Sequence, residues 1–560
     1  MWLIFGKTIS MQEPGVKEGR DDVLKPPAAY ENTQHERVVL IMKQALSLIL
    51  ALVLAMALGM SAGAEGLDKD GITNATGYPI TKEPITLDVV WKYTAAQDIT
   101  KMTSVLDWIE RETNIRLNIT TYTEDDQIAL MFASGDYPDM AIAIGSSALQ
   151  RSNAVDAGDL VALDDLIDQF APTWKRFLEE QPLTDKMTLI DGERFTLPWC
   201  NFAEYDRKLR DCFIINESWV KELDLEIPTT MAEYEAYLQA VKDHAGQGTI
   251  PENAIPLYFM FGNWVGGEFN IYSQFGVYTN NDNFLIVEDG QVKYQAINPD
   301  IKEPLKWMQR MYKKGLIGAE CFTDDWATYL TRRQSDPHTL GSHFSYSIYV
   351  DGLTCFGPLD SGNGKAALLC SQSNIPNNAH AFMMFSNNPY PVATLRLCEF
   401  VVENPVNMTN TTVGLEGEMW EYDADGKRAQ SQMAYTEETK AQSGFWNQFV
   451  GILADDYYED LAITDYIDGA VRAREYFAKY DGKTVPQEMN FVGATMDTQS
   501  EALISEYYTD IANCRKETFA RWITTDVDID AEWDAFVAET QKYKVNEWLA
   551  LKQQAYDMLH

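Results

Sequence analysis

Leu130-Met131-Phe132-Ala133-Ser134-Gly135-Asp136-Tyr137-Pro138-Asp139-Met140 reads as a helix end, a Gly-Asp turn and a strand that starts after Pro-Asp. Gly135 can take the left-handed conformation that closes a helix, and the Pro-Asp pair suits a turn or strand start. Upstream, 85–91 reads as a first strand, Asp98 opens a helix whose Met102, Val105, Leu106 and Ile109 share one face, and 116–122 alternates as a second strand. With a third strand expected at 140–144, the order strand, helix, strand, helix, strand predicts an α/β chain with largely parallel sheets.

The folded chain is expected to start well after residue 1. Met42-Lys43 is a short basic region, 45–58 is a nearly unbroken apolar run, and Ala62-Gly63-Ala64 has the small-x-small form of a cleavage site. This is the pattern of an export signal, and the run is short for a bilayer span. Residues 1–41 are polar and contain proline, so translation is expected to start at Met42 and the mature chain near Glu65. No cysteine follows the apolar run, which leaves a lipid anchor without its attachment site.

The full chain carries a net charge of −39. Residues 1–64 contain six Lys/Arg and six Asp/Glu, so removing them leaves that charge unchanged. With 46% hydrophobic and 12% aromatic residues the chain can still bury large cores, which excludes an acidic disordered protein. Such a surface repels phosphate backbones and anionic lipid, so nucleic acid and membrane surfaces are excluded as partners and neutral ligands are favoured. Seven cysteines without a C-x-x-C pair form neither a disulfide framework nor a zinc knuckle and read as small buried residues.

Further motifs continue the α/β pattern. Leu160 to Ile167 runs from a strand end into a helix capped by Asp164, and Asp191-Gly192-Glu193-Arg194-Phe195-Thr196-Leu197-Pro198-Trp199 is a turn followed by a strand. Phe213-Ile214-Ile215-Asn216 precedes a helix at Trp219. Thr230 and Glu233 in Pro228-Thr229-Thr230-Met231-Ala232-Glu233-Tyr234 form a capping box, and Tyr312-Lys313-Lys314-Gly315 ends a helix at glycine. Gly414-Leu415-Glu416-Gly417-Glu418-Met419-Trp420, Asp425-Gly426-Lys427, Trp522-Ile523-Thr524-Thr525, Asp528 to Asp534 and Gln554-Ala555-Tyr556-Asp557 follow in order.

Taken together over 85–557, these segments resemble extracellular solute-binding protein family 1, the substrate-binding receptors of ABC importers, in its longer, oligosaccharide-associated, lipoprotein-like branch. The resemblance implies a periplasmic-binding-protein type II fold like that of maltose-binding protein, two α/β lobes joined by a hinge with the ligand cleft between them. It implies a first lobe over 65–205, a second over 206–375, a return to the first at 376–420, and completion of the second with C-terminal helices over 421–560. It also implies a monomeric, exported receptor that hands a carbohydrate to permease subunits and performs no catalysis.

Sugar rings present apolar faces and a rim of hydroxyls, so their receptors stack them on Trp or Tyr and pair the hydroxyls with polar side chains. Clefts of α/β folds form at the carboxyl ends of strands. The candidates there are Trp91 and Tyr93 after the first strand, and Trp199 and Tyr205 after the Leu-Pro strand. Trp264 and Glu268 lie on the Gly-rich turn Asn263-Trp264-Val265-Gly266-Gly267-Glu268, and Tyr346 and Trp420 lie where the chain should recross. Trp108, Trp219, Trp307, Trp533 and Trp548 sit at helical spacings among apolar neighbours and are assigned to the core. Asp136 and Asp139 are assigned structural roles.

No cofactor is implied. Asn280-Asn281-Asp282-Asn283 offers oxygens for structural calcium but lacks an EF-hand pattern, and His338 and His343 lack the spacing and cysteines of a zinc site. Gly362-Asn363-Gly364-Lys365 lacks the third glycine of a dinucleotide loop and reads as a turn. Two rival functions stay open: an exported glycoside hydrolase or lyase built on a carboxylate pair such as Asp164-Asp165 or Asp324-Asp325, and a peptide or sensor-type receptor of the same fold.

Overall fold

The structure is a computed structural model that describes residues 71–560 except 75, 93–98, 203–211, 264, 280–282, 346–347, 349, 370–374, 431–443, 446–448 and 454–481. The chain divides into compact units 1–67 and 68–560, and the second carries all that follows. The start at Met42 and the export signal lie outside the described residues. No helix among the described residues is long and apolar enough to cross a membrane.

The segment around Gly135 folds as its turn chemistry dictates. The helix Asp125–Ser134 ends at Gly135, whose φ is 68° and whose N–H donates to Met131 O at 3.1 Å. Asp139 then joins two strands: its carboxylate accepts the Asp88 N–H at 2.8 Å, and its own N–H donates to Asp88 O at 2.9 Å. Its role is therefore structural. The third strand stops at Ile142, short of the expected 144, because Ala143 turns to a φ of 46° and donates its N–H to Ala381 O.

Ten strands build two sheets. They are β1 Ile85–Lys92, β2 Ile115–Tyr122, β3 Met140–Ile142, β4 Thr196–Asn201, β5 Cys212–Asn216, β6 Ile255–Leu257, β7 Leu340–Ser345, β8 Leu353–Cys355, β9 Asn378–Met384 and β10 Gly451–Leu453. The first sheet has the order β10-β4-β9-β3-β1-β2, and the second β8-β5-β7-β6. In the first, β1 runs parallel to β2 and β3, and β9 lies antiparallel between β3 and β4. β10 is parallel to β4. In the second, β6, β7 and β8 share one direction and β5 opposes them. The strand β10 falls within 421–560, the stretch expected to complete the second lobe, so the chain visits the first sheet once more than the expected boundaries allow.

Each sheet has its own core. Val90, Ile128, Met131, Ala141, Met383 and Phe385 pack on the first. A much larger cluster joins Phe213, Tyr234, Leu257 and Phe344 of the second lobe to Trp522, Trp533 and Trp548 of the C-terminal helices Thr498–Thr524, Ile529–Lys542 and Val545–Leu559. The tryptophans assigned to the core are buried, including Trp108, Trp219 and Trp307. Cys200, Cys212, Cys321, Cys355 and Cys398 are buried free thiols, as small core residues should be. The capping box at Thr230 and Glu233 forms, and Gly315 adopts a φ of 65° past the helix Lys302–Lys313. One cap differs from expectation. Leu163 is the N-cap, and Asp164 accepts the Arg194 N–H while its other oxygen pairs with the Arg194 guanidinium.

Candidate ligand-binding cleft

The strand directions locate the cleft. β4 runs parallel to β3 and β1, because both flank β9 and oppose it, so Asn201 ends on the same edge as Lys92 and Ile142. From that edge the chain passes to Cys212, which pairs with Ser345 at the carboxyl end of β7. The crossing therefore leaves the first sheet and enters the second at carboxyl edges in both cases. β9 re-enters the first sheet from the same side, since Asn378 pairs with Trp199, and β10 ends there at Leu453. Carboxyl strand ends carry the loops that form ligand clefts in α/β folds.

Several described groups line these edges. Lys92 forms an ion pair with Asp125, and the Asn201 N–H donates to Asn377 Oδ1 at 2.8 Å. Across the second sheet, the helix Trp326–Arg333 is tied to the end of β7. Tyr329 Oη donates to Phe344 O at 2.8 Å, and Arg333 Nη1 donates to Ser345 Oγ at 3.0 Å. Tyr258, just past β6, donates its hydroxyl to Asp324 Oδ2 at 2.9 Å, and Arg332 Nε donates to the same oxygen at 2.5 Å.

Four of the eight sequence candidates fall on described residues, and all four are buried. Trp91 packs its ring 5.1 Å from that of Phe445. Trp199 lies against Gly451, and its indole N–H meets no acceptor among the described residues. Trp420 donates its indole N–H to Asn410 Oδ1 at 3.0 Å inside a small cluster with Val413 and Met419. Glu268 accepts the Gly262 N–H at 2.8 Å and the Tyr272 hydroxyl at 3.2 Å; burial raises its carboxyl above the ordinary range, against those hydrogen bonds and the nearby Arg515 charge. Tyr93, Tyr205, Trp264 and Tyr346 lie outside the described residues, as do Asn280, Asn281 and Asp282 of the candidate calcium loop.

Three of the four carboxylates considered for a glycosidase have other partners. Asp325 caps the helix Trp326–Arg333 through Thr328 N at 2.8 Å, and Asp324 holds Tyr258 and Arg332. Asp164 holds Arg194. Among the described residues no cluster of His, Cys, Asp and Glu could hold a metal ion. His338 and His343 come within 5.7 Å ring to ring, both buried. Sequence reasoning passed over Trp326, the one described tryptophan with a substantially exposed ring; its position at a helix start next to Asp324-Asp325 was the available signal.

Two α/β lobes, chain crossings at their facing edges and a cleft between carboxyl strand ends define the two-lobe periplasmic-binding fold of ABC-transporter solute-binding proteins. The particular relatives sharpen this. The chain is 25% identical over 473 residues to the fructooligosaccharide ABC transporter substrate-binding protein FusA of Streptococcus pneumoniae, spanning 81% of this chain and 86% of that protein. The solved structure of FusA with kestose superposes with a TM-score of 0.74 at 23% identity, over 84% of this chain and 99% of that one. A solute-binding protein of Bifidobacterium longum infantis, described as HMO binding and ABC-transporter associated, matches with a TM-score of 0.72 at 18% identity, over 85% of this chain and 99% of that one. No family model matches the chain. These relatives are binding proteins of ABC transporters, not enzymes.

Proposed function

We propose that this protein is the extracellular substrate-binding component of an ABC importer, belonging with the longer branch of solute-binding family 1, and that it closes on an oligosaccharide and delivers it to the permease. The similarity over 473 residues to a fructooligosaccharide-binding transporter protein carries this reading. A fructooligosaccharide is accordingly the first ligand to try. The net charge of −39 favours a neutral glycan over an anionic one. Ligand that touches both lobes binds tightly only in the closed form, so its binding energy draws the open-closed equilibrium and the permease meets a new lobe surface.

In this reading Tyr93, Tyr205, Trp264 and Tyr346 are proposed to stack on sugar rings. Trp91 and Trp199, buried at the ends of β1 and β4, are proposed to stiffen the cleft floor, and Glu268 and Trp420 to hold the loops that border it. The lobes are proposed to follow the boundaries given by the sequence, with β10 reassigned to the first. A FusA variant described as an EF-hand mutant makes calcium worth testing here as a structural ion. A thermal-shift screen against fructo-, gluco- and manno-oligosaccharides, with chromatography of the same wells, tests the reading. A ligand at about 100 times its dissociation constant should add about 2.7 kcal/mol of stability and be recovered intact. Consumption of the glycan would identify an enzyme instead, and silence toward every sugar would redirect the search to peptides.

A further inference from the structure

Ten of the eleven described tryptophans are buried, and Trp326 keeps 38% of its surface exposed. Its environment is a built platform. The indole stacks on Tyr329 with centroids 5.2 Å apart and planes 27° from parallel, and Tyr329 in turn stacks on Tyr258 at 6.3 Å and 19°. Tyr329 is fully buried and fixed by its bond to Phe344 O. Gly266 packs close against it: a Cβ there would come within 2.6 Å of the Tyr329 ring, so the Gly-rich turn leaves no room for a side chain at this stack. The Arg332 guanidinium lies 5.7 Å over the Tyr258 ring and pairs with Asp324, and both charged side chains keep part of their surface in solvent. All of this stands at the carboxyl end of β7, the edge to which the chain crosses from the first sheet.

We propose that Trp326 is a sugar-stacking platform of the second lobe, taking the apolar face of one glycan ring while the Asp324–Arg332 pair takes that ring's hydroxyls. The proposal rests on the receptor reading above and names a contact which that reading does not contain. Three features favour a ligand over a mere surface side chain. The ring is held rigid by a second aromatic, which lowers the entropy lost on binding. A partly exposed charge pair that can both donate and accept stands at the same stack. An aromatic face with a polar rim is also the complement of a sugar ring.

The test uses the full protein and the glycan that stabilises it most in the screen, with calorimetric affinities for wild type, W326F and W326A. Wild type should bind. W326F should stay within a few-fold of it, and W326A should bind at least about tenfold more weakly while its unliganded melting temperature stays close to that of wild type. Equal affinity of W326A and wild type overturns the platform and leaves the receptor reading standing. A wild type that binds no glycan overturns both. If W326A melts early, R332M supplies the second reading: weaker binding in a stably folded R332M supports the site, and unchanged binding overturns it.

Discussion

His343 provides the most quantitative expectation about stability. It lies on β7 with its ring 5.7 Å from His338 and with the buried Arg333 guanidinium nearby. Burial first, then the His338 and Arg333 charges, hold its imidazole well below the usual range; burial also lowers His338. His380, whose Nδ1 lies 2.8 Å from Thr196 Oγ1, is lowered in the same way by burial and then by Arg151. A base held neutral in the fold but free to titrate near pH 6.5 when unfolded makes the unfolded state bind protons first as pH falls. Stability is therefore intact above about pH 6.5 and is lost as pH drops below it, until the depressed folded value is reached. For one histidine that stays neutral down to pH 5, the loss amounts to about 2 kcal/mol. His343→Phe removes that proton uptake and keeps a ring of similar size in the site. Urea unfolding of wild type and variant at pH 7.5 and pH 5.0 gives the loss for each protein against itself, so the cost of the substitution cancels, as do opposing shifts such as that of buried Glu268. The variant should lose less stability than wild type over this interval, by up to about 2 kcal/mol. Equal pH dependence of the two proteins would refute the assignment of His343 as a neutral buried base.

Three further outcomes follow from single contacts. Gly451→Val should cost about 1–3 kcal/mol, read from the urea midpoint, because a Cβ there would lie 2.6 Å from Trp199 Nε1 and 2.7 Å from its Cδ1 in a packed sheet. Trp420→Phe should lower the unliganded melting temperature, at a cost of about 1–3 kcal/mol, because it leaves Asn410 Oδ1 without its indole donor; an unchanged melt would contradict the structural role given to that bond. Arg396→Met should free the segment 71–82, where Arg396 Nη2 donates to Gly77 O at 2.8 Å and Tyr78 rests on Phe400 at 5.2 Å, and limited proteolysis should then cut there first.

How much was readable in advance depended on how local the cause was. The segment around Gly135 was readable because a helix end, a left-handed glycine and a strand start are set within a dozen residues. The capping box at Thr230 was readable for the same reason. Asp164 was misread as a cap because its partner Arg194 lies thirty residues on, and no local pattern announces that pairing. The strand β10 was missed because three residues carry no period. The burial of individual tryptophans was hidden in a related way. Trp420 lies where the chain was expected to recross and Trp326 at a helix start, yet Asn410 and Val413 bury the first while Tyr329 lifts the second to the surface, and only the assembled fold decides between them.

The central claim is closure of two lobes on an intact oligosaccharide. Small-angle scattering of the purified protein, titrated with the glycan that binds best and with the glycan recovered afterwards, tests it directly. The account predicts a smaller radius of gyration that saturates at one glycan per chain, with the glycan unchanged. Saturating binding with an unaltered scattering profile, or recovery of a cleaved glycan, would contradict it.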